Sequence, residues 1–509
     1  MGLYDFSFYD MIHRNSACFK DLPAWFEADT NETFSFETIK NLVDRLACGL
    51  QQMGLKKNDR IGIIGKNSLN FFLLYGAAAA LGAIILPINW RLSEKEVAFN
   101  LNDCDPVFLF ADDEFGKMVN SIRGNLSSVK QVFNLKADTG GFTGFKTLMD
   151  NSGDFNPVEV ASDDGFVIIH TAAVEGRPRG ALLSHMNMLC ASLHLNYCFN
   201  LSSKDVHLNL LPLFHVGGLF MAANSFHAGA LNVNISRFDA EKSVTLIEEK
   251  KVSIMFDFSP ILGSILKAQE KSGKDISSLQ SVMGLDTPET IKNYQKITGG
   301  TFYSMFGQTE TSCLATMGRF DDAPGSAGRP IPLGVVTLVD DHDNPVPVGR
   351  VGEITLKGPM VFKGYWNLDE DNAYTFRQGC HHTGDLGRFD ENGYLWYAGR
   401  KAEKELIKPG GENVYPAEVE KAILNHPDVE KAVVFGVPDP KWKEGIKAVC
   451  VLKKDSSLTG KALVAFVGNS IASYKKPQYV EFVSELPENE DGTIERKTVK
   501  EIYGGEQIQ

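Results

Sequence analysis

Residues His382–Glu420 read HTGDLGRFDENGYLWYAGRKAEKELIKPGGENVYPAEVE, and the rest of the chain is organised around this stretch. Gly384 and Asp385 form a turn. Two short strands, Arg388–Phe389 and Tyr394–Tyr397, follow it, joined by Glu391-Asn392-Gly393, a usual hairpin signal. Gly399-Arg400 then opens the charged run Lys401-Ala402-Glu403-Lys404-Glu405. That run holds no apolar residue large enough to anchor it in a core, which marks a linker between structured regions. Beyond it, Gly410-Gly411 and Pro416 lead into a helix carrying Ala417, Val419, Ala422 and Ile423.

A chain of 509 residues is too long for one ordinary core, so two or more subdomains are expected. The net charge of −13 argues against a nucleic-acid partner, because phosphate backbones need a positive surface. Eight cysteines are scattered without a CxxC pair, and no secretory signal precedes them; reduced thiols in a cytoplasmic setting are expected. Cys380-His381-His382 places three metal-binding side chains side by side, but no second group stands at zinc spacing. Phe71–Ile88 (FFLLYGAAAALGAIILPI) is just long enough to suggest a membrane span. Its four consecutive alanines, Gly82 and Pro87 fit a buried helix to Leu81, a turn at Gly82 and a buried strand at Ala83–Pro87 instead, with no transmembrane segment.

The N-terminal part alternates helix and strand. Ser35 caps a helix whose apolar face is Ile39, Leu42, Val43, Leu46, Leu50 and Met53, ending at Gly54. Arg60–Ile64, Val107–Phe110 and Val132–Leu135 are short apolar strands, and such alternation implies a parallel sheet covered on both faces. Phe166–Ile169 is the next strand. It feeds HTAAVEGRPRGALLSH, His170 to His185, and a strand opening into a Gly-rich loop and then a helix suits phosphate binding by backbone N–H groups. It is not a Walker loop, since the GK[ST] ending is missing.

The ordered series TGDLG, GYL, GRK and GGENVYP closely resembles the signature of the AMP-forming adenylating superfamily, which includes acyl-CoA synthetases, carrier-loading adenylation domains and firefly-type luciferases. The resemblance implies an α/β fold. A large N-terminal domain of parallel-rich sheets with flanking helices and a small β-barrel-like region (1–399) would be joined through a hinge (400–404) to a small mobile α+β domain (405–509). Asp385 and Arg400 would hold the ribose hydroxyls. His170–His185 takes the place of the phosphate loop, where Thr171, Gly176, Pro178 and Gly180 fit the family pattern and Arg179 stands for the usual lysine. Ala172, Ala173, Val174 and Glu175 depart from it. A carboxylate ~4 Å from a phosphate costs on the order of 4 kcal/mol at an effective dielectric near 20, so Glu175 must point away or pair with Arg177 or Arg179.

Leu211–Gly218 resembles the family's PxFHxxG stretch, with His215 bordering the carboxylate pocket. Tyr303–Glu310 is similar to its YGxTE element, which implies Thr309 beside phosphate oxygens and Glu310 toward Mg²⁺, a hard cation suited to carboxylate oxygen. Gly325–Pro330, Gly352-Glu353 and Gly364-Tyr365-Trp366 continue the likeness. At Met283–Pro288 the family's adenine loop is shortened and carries Asp286, so no adenine contact is assigned there. Ala432–Asp439 and Tyr474–Pro477 resemble the small domain, and Gly410-Gly411 lets a pantetheine arm pass close to backbone. The last loop reads Gly492-Thr493-Ile494-Glu495-Arg496, with Thr493 at the family's catalytic lysine.

The expected function is an acyl-CoA synthetase acting on a carboxylic acid, foremost a fatty acid, with ATP, Mg²⁺ and CoA. The chain ends soon after its last loop, leaving no carrier domain to load. The alternative is a catalytically impaired homologue that binds acyl-CoA or nucleotide, motivated by Thr493 and Glu175; a homodimer is compatible with either.

Overall fold

The computed structural model describes residues 2–136, 141–156, 158–174, 177–401, 406–454, 456–488 and 494–505. The charged run at 402–405, the loop tip with Glu175 and Gly176, and the last-loop residue Thr493 lie outside them. Two compact units are present. Met1–Trp90, Leu101–Ile169 and Gly180–Gly399 form the first; Arg91–Asn100, His170–Arg179 and Arg400–Gln509 form the second.

The first unit is built on two large sheets. Apolar strands flanked by helices produce the expected parallel pairing: Arg60–Ile64 lies parallel to both Ile84–Ile88 and Phe108–Ala111, and the latter to Gln131–Asn134. Together with Gly165–Val174, Arg177–Ser184 and Gly364–Tyr365 these make seven strands. The second sheet has nine strands. Its centre is parallel, from Pro23–Glu27 through Leu231–Asn234, Val206–Asn209, Ile254–Phe258 and Ser281–Leu285 to Thr301–Phe306. Strands Val335–Val339, Gly352–Lys357, His381–Phe389 and Leu395–Arg400 form the small additional sheet.

The helices between the sheets follow from composition. Phe36–Gln52 is capped by Ser35, whose hydroxyl accepts the Thr38 N–H at 3.1 Å. Leu69–Leu81 is buried along its whole length except Asn70 and ends at Gly82, after which the strand Ile84–Ile88 begins. A helix apolar on every side belongs inside a core, and aromatic contacts hold it there: Trp25 stacks on Phe72 at 4.9 Å and Phe8 meets Phe72 edge-on at 6.2 Å. Among the described residues no helix is long and apolar enough to cross a membrane.

The segment after Phe166–Ile169 departs from expectation. The strand does not open into a loop and helix; it continues to Val174, and a second strand, Arg177–Ser184, returns beside it. The next helix, His185–Phe199, begins only after Ser184. The two strands are hydrogen-bonded neighbours in the seven-stranded sheet, so the chain pairs with itself where the sequence predicts an open phosphate loop.

The second unit carries the antiparallel pair Val429–Asp439 and Lys443–Leu452, extended in parallel by Tyr479–Val483 and backed by helices Pro416–Leu424 and Gly460–Gly468. The buried cation Lys475 bonds the carboxylates of Glu96 at 2.5 Å and Glu418 at 2.6 Å within it.

Candidate active site

In the first unit, three stretches singled out in the sequence converge on Asp385. The ladder between Gly352–Lys357 and His381–Phe389 pairs Glu353 with Leu386 but Thr355 with His382, so Thr383, Gly384 and Asp385 bulge out opposite Ile354 alone. A bulge of this kind re-aims a side chain. Gly384 takes φ +69°, a left-handed conformation open to glycine at little cost. The Thr383 hydroxyl donates to the Ile354 carbonyl at 2.6 Å and accepts the Asp385 N–H at 3.1 Å. Glu353 Oε1 accepts the Gly384 N–H at 2.9 Å.

Asp385 itself is 1% exposed, and its two oxygens take different donors. Gln308 Nε2 donates to Oδ2 and also to the Thr383 carbonyl at 3.0 Å, while Tyr397 donates its hydroxyl to Oδ1 at 2.9 Å. Gln308 precedes the short helical turn Thr309–Thr311. The carboxylate of Glu310, 7% exposed, accepts the Tyr365 hydroxyl at 2.8 Å. Half-buried Thr309 makes no side-chain hydrogen bond among the described residues, which leaves its hydroxyl available. Strand Gly364–Tyr365 pairs with Leu182 and Ala181, and the Trp366 N–H bonds the Gly180 carbonyl at 2.7 Å. Gly180, Thr309, Glu310 and Asp385 are therefore linked through Gln308 and Tyr365 in one neighbourhood.

His215 caps the helix Val216–Ala228, its Nδ1 accepting the Gly217 N–H at 3.1 Å, and its ring meets Phe258 edge-on at 6.2 Å. Phe256 lies 4.8 Å from Phe258, so aromatic apolar rings stand on this side of His215. Thr171 and Arg179 belong to the second unit, where the Thr171 hydroxyl donates to the Arg179 carbonyl at 3.3 Å across the hairpin. Arg400, also of that unit, ends the strand Leu395–Arg400. Gly410, at φ +59° beside Gly411 in a short turn, lies against Trp442: an added Cβ would come within 2.8 Å of the indole.

Gln308, Tyr365, Tyr397 and Glu353 stand inside quoted motifs but received no role from sequence. Only their hydrogen bonds reveal one. Cys380-His381-His382 diverges: Cys380 Sγ lies 3.8 Å from His382 Nε2, whereas His382 Nδ1 faces Glu353 at 3.3 Å. His382 with Asp343 and Glu353 could hold a cation, but the Arg377 guanidinium already bonds both carboxylates, at 3.0 and 3.1 Å.

A buried carboxylate beside an available hydroxyl, Glu310 with Thr309, is a donor set of hard oxygens that fits Mg²⁺. A second buried carboxylate with fixed orientation, Asp385, fits a pair of sugar hydroxyls.

Comparison with known proteins gives the family. Residues 12–366 match the AMP-binding enzyme family, and residues 418–493 match the AMP-binding enzyme C-terminal domain. An indoleacetate–CoA ligase of Aromatoleum aromaticum is 33% identical over 476 residues, covering 92% of this chain and 93% of its own. A feruloyl-CoA synthase of Amycolatopsis is 31% identical over 478 residues, covering 92% and 94%. The solved fatty acyl CoA synthetase of Mycobacterium tuberculosis is 29% identical with a TM-score of 0.74, covering 98% of each chain. With both parts of the chain matched in order, this protein belongs to the AMP-binding enzyme family.

Proposed function

We propose that the chain is an acyl-CoA synthetase that joins a carboxylic acid to CoA at the expense of ATP. The observation that carries this reading is the neighbourhood in which Gln308 ties Asp385 to the turn of Thr309 and Glu310. In the first half-reaction a carboxylate oxygen attacks the α-phosphorus of ATP, forming the acyl-adenylate and releasing pyrophosphate. In the second, the CoA thiol attacks the acyl carbon, loses its proton and expels AMP. Positioning and charge stabilisation dominate such phosphoryl chemistry.

Each residue then has a task. Asp385, with Arg400, holds the ribose; Thr309 donates to phosphate oxygens; Arg179, with Thr171, Gly176 and Gly180, serves the phosphates. Glu310 holds Mg²⁺, which neutralises phosphate charge when bound. His215 borders the acid, and Phe256 and Phe258 beside it favour an apolar acyl body, a fatty acid in the first instance. Gly410 and Gly411 face the thiol arm, and residues 400–404 are the hinge about which the domain 405–509 turns.

The test is incubation with ATP, Mg²⁺, CoA and a panel of fatty and aromatic acids. Release of AMP and pyrophosphate with one or more acids is expected; none with any acid defeats the proposal. A second reading, a binder without efficient turnover, is favoured by Thr493 at the lysine position. Thr493→Lys discriminates: losing a preorganised donor typically costs ~10²–10³ in rate, and a gain of that order in adenylate formation marks an impaired enzyme.

A further inference from the structure

Two of the donors that meet Asp385, Gln308 and Tyr397, are of unlike character. Gln308 is held on several sides: its Nε2 also bonds the Thr383 carbonyl, and its backbone N–H donates to the Thr311 hydroxyl at 2.9 Å. Tyr397 is 49% exposed, near the end of the strand Leu395–Arg400, with its ring tilted 31° to Phe306 at a 6.1 Å centroid distance. Its hydroxyl nevertheless reaches a carboxylate that is itself 1% exposed.

A carboxylate hidden from water needs donors, because an unsatisfied buried charge is costly. Gln308 supplies one from a rigid position. A donor that competes with a sugar hydroxyl for this carboxylate must be able to leave it. A phenol on a half-exposed ring meets that requirement: it donates through O–H as a sugar hydroxyl does, and it can rotate into solvent without opening the core.

We propose that Tyr397 is a specificity-determining residue that stands in for one ribose hydroxyl on Asp385 Oδ1 and is displaced when the nucleotide binds. This rests on the reading of Asp385 as the ribose-binding carboxylate. Two consequences follow from linkage. The nucleotide must displace the Tyr397 bond, so removing the phenol oxygen tightens nucleotide binding. A nucleotide lacking the competing hydroxyl lets Tyr397 stay, so the native protein tolerates that deoxy analogue better than a protein without the phenol does.

The experiment is calorimetric titration of the native protein, Tyr397→Phe and Tyr397→Leu with ATP, 2′-deoxy-ATP and 3′-deoxy-ATP in Mg²⁺, with thermal melts confirming that each variant folds. Both variants are expected to bind ATP three- to tenfold more tightly than the native protein. Against one of the two deoxy nucleotides, their penalty relative to ATP is expected to exceed the native penalty by a similar factor. Weaker or unchanged ATP binding in folded variants overturns the placeholder role, as does an equal deoxy penalty in all three proteins. If the native protein binds no ATP, the reading of Asp385 as a nucleotide site falls, and this inference with it.

Discussion

Glu353 and Gly384 are joined by a 2.9 Å hydrogen bond from the Gly384 N–H to Glu353 Oε1, so a buried acid on one strand fixes the bulge that aims Asp385 from the next. Glu353 Oε2 meanwhile accepts from Arg377 at 3.1 Å and faces His382 Nδ1 at 3.3 Å. Glu353→Ala removes all three contacts and leaves the guanidinium short of one partner. Arg377 is partly exposed and keeps Asp343, so the cost is that of the lost charged hydrogen bonds, about 1.5–3 kcal/mol. Urea unfolding is expected to show a loss of that size for Glu353→Ala and a smaller one for Glu353→Gln, which keeps an oxygen for the Gly384 N–H. Equal losses in the two variants would show that the Gly384 bond contributes nothing.

Gly218→Ala tests the turn that presents His215. A Cβ at this position would stand 2.1 Å from the Pro212 carbonyl oxygen, a backbone atom that cannot step aside. The helix Val216–Ala228 must shift away from the turn, taking its His215 cap with it. Overpacking of this kind costs typically ~1–3 kcal/mol. Acid-dependent turnover is expected to fall more than ATP binding. A variant with native stability and native KM for the acid contradicts the close packing described.

Acid stability turns on buried histidines. Burial pushes the His185 imidazole down from its ordinary 6.5 to about 4, partly offset by the charges of Asp164 and Asp10. Between those values the unfolded chain binds a proton that the folded chain refuses, so the stabilising share of neutral His185 is full above 6.5 and is lost as pH falls toward 4. The slope is about 1.4 kcal/mol per pH unit for one such group. Burial lowers His207 and His227 to about 4 as well, adding slopes of the same sign. Glu27, raised by burial from its ordinary 4.5, works in the opposite sense from that value upward. His185→Gln retains an acceptor for the Phe8 N–H, bonded at 3.2 Å in the native protein. Its unfolding free energy is expected to vary less steeply between pH 6.5 and 5 than the native protein's; parallel curves would contradict the assignment.

Much of this architecture is legible in the sequence because local rules and tertiary demands coincide. Phe71–Ile88 gives its helix, turn and strand away through four consecutive alanines, a helix-ending glycine and a β-branched run, and Ile39, Val43, Leu46 and Leu50 mark one face of a capped helix. Two things escape. His170–His185 carries the glycines of a loop, yet Gly165–Val174 and Arg177–Ser184 run as neighbouring strands of one sheet, a choice that spacing alone does not reveal. The partners of Asp385 come from residues 77 and 12 positions away, Gln308 and Tyr397. Motif order locates the acid but not the side chains that close on it. Glu353 escapes for the same reason: its partner N–H is exposed only because the ladder slips at Ile354.

Glu310 and Tyr365 allow the metal assignment to be separated from simple folding. Glu310 is buried, and one of its oxygens accepts the Tyr365 hydroxyl at 2.8 Å. Tyr365→Phe deletes that bond while keeping the ring that meets Phe362 edge-on at 4.9 Å. A hydrogen bond to a charged group contributes about 1.5–3 kcal/mol, so the carboxylate loses orientation but keeps its charge. Turnover is expected to fall about tenfold and to recover in part as Mg²⁺ is raised, since weakened binding can be offset by mass action. Glu310→Gln removes the charge itself, and its turnover is expected to fall by ~10² or more, by analogy with the loss of one preorganised group, without recovery at any Mg²⁺ concentration. If both variants respond to Mg²⁺ as the native protein does, Glu310 is no metal ligand, and its bond to Tyr365 serves only to join the turn Thr309–Thr311 to the strand Gly364–Tyr365.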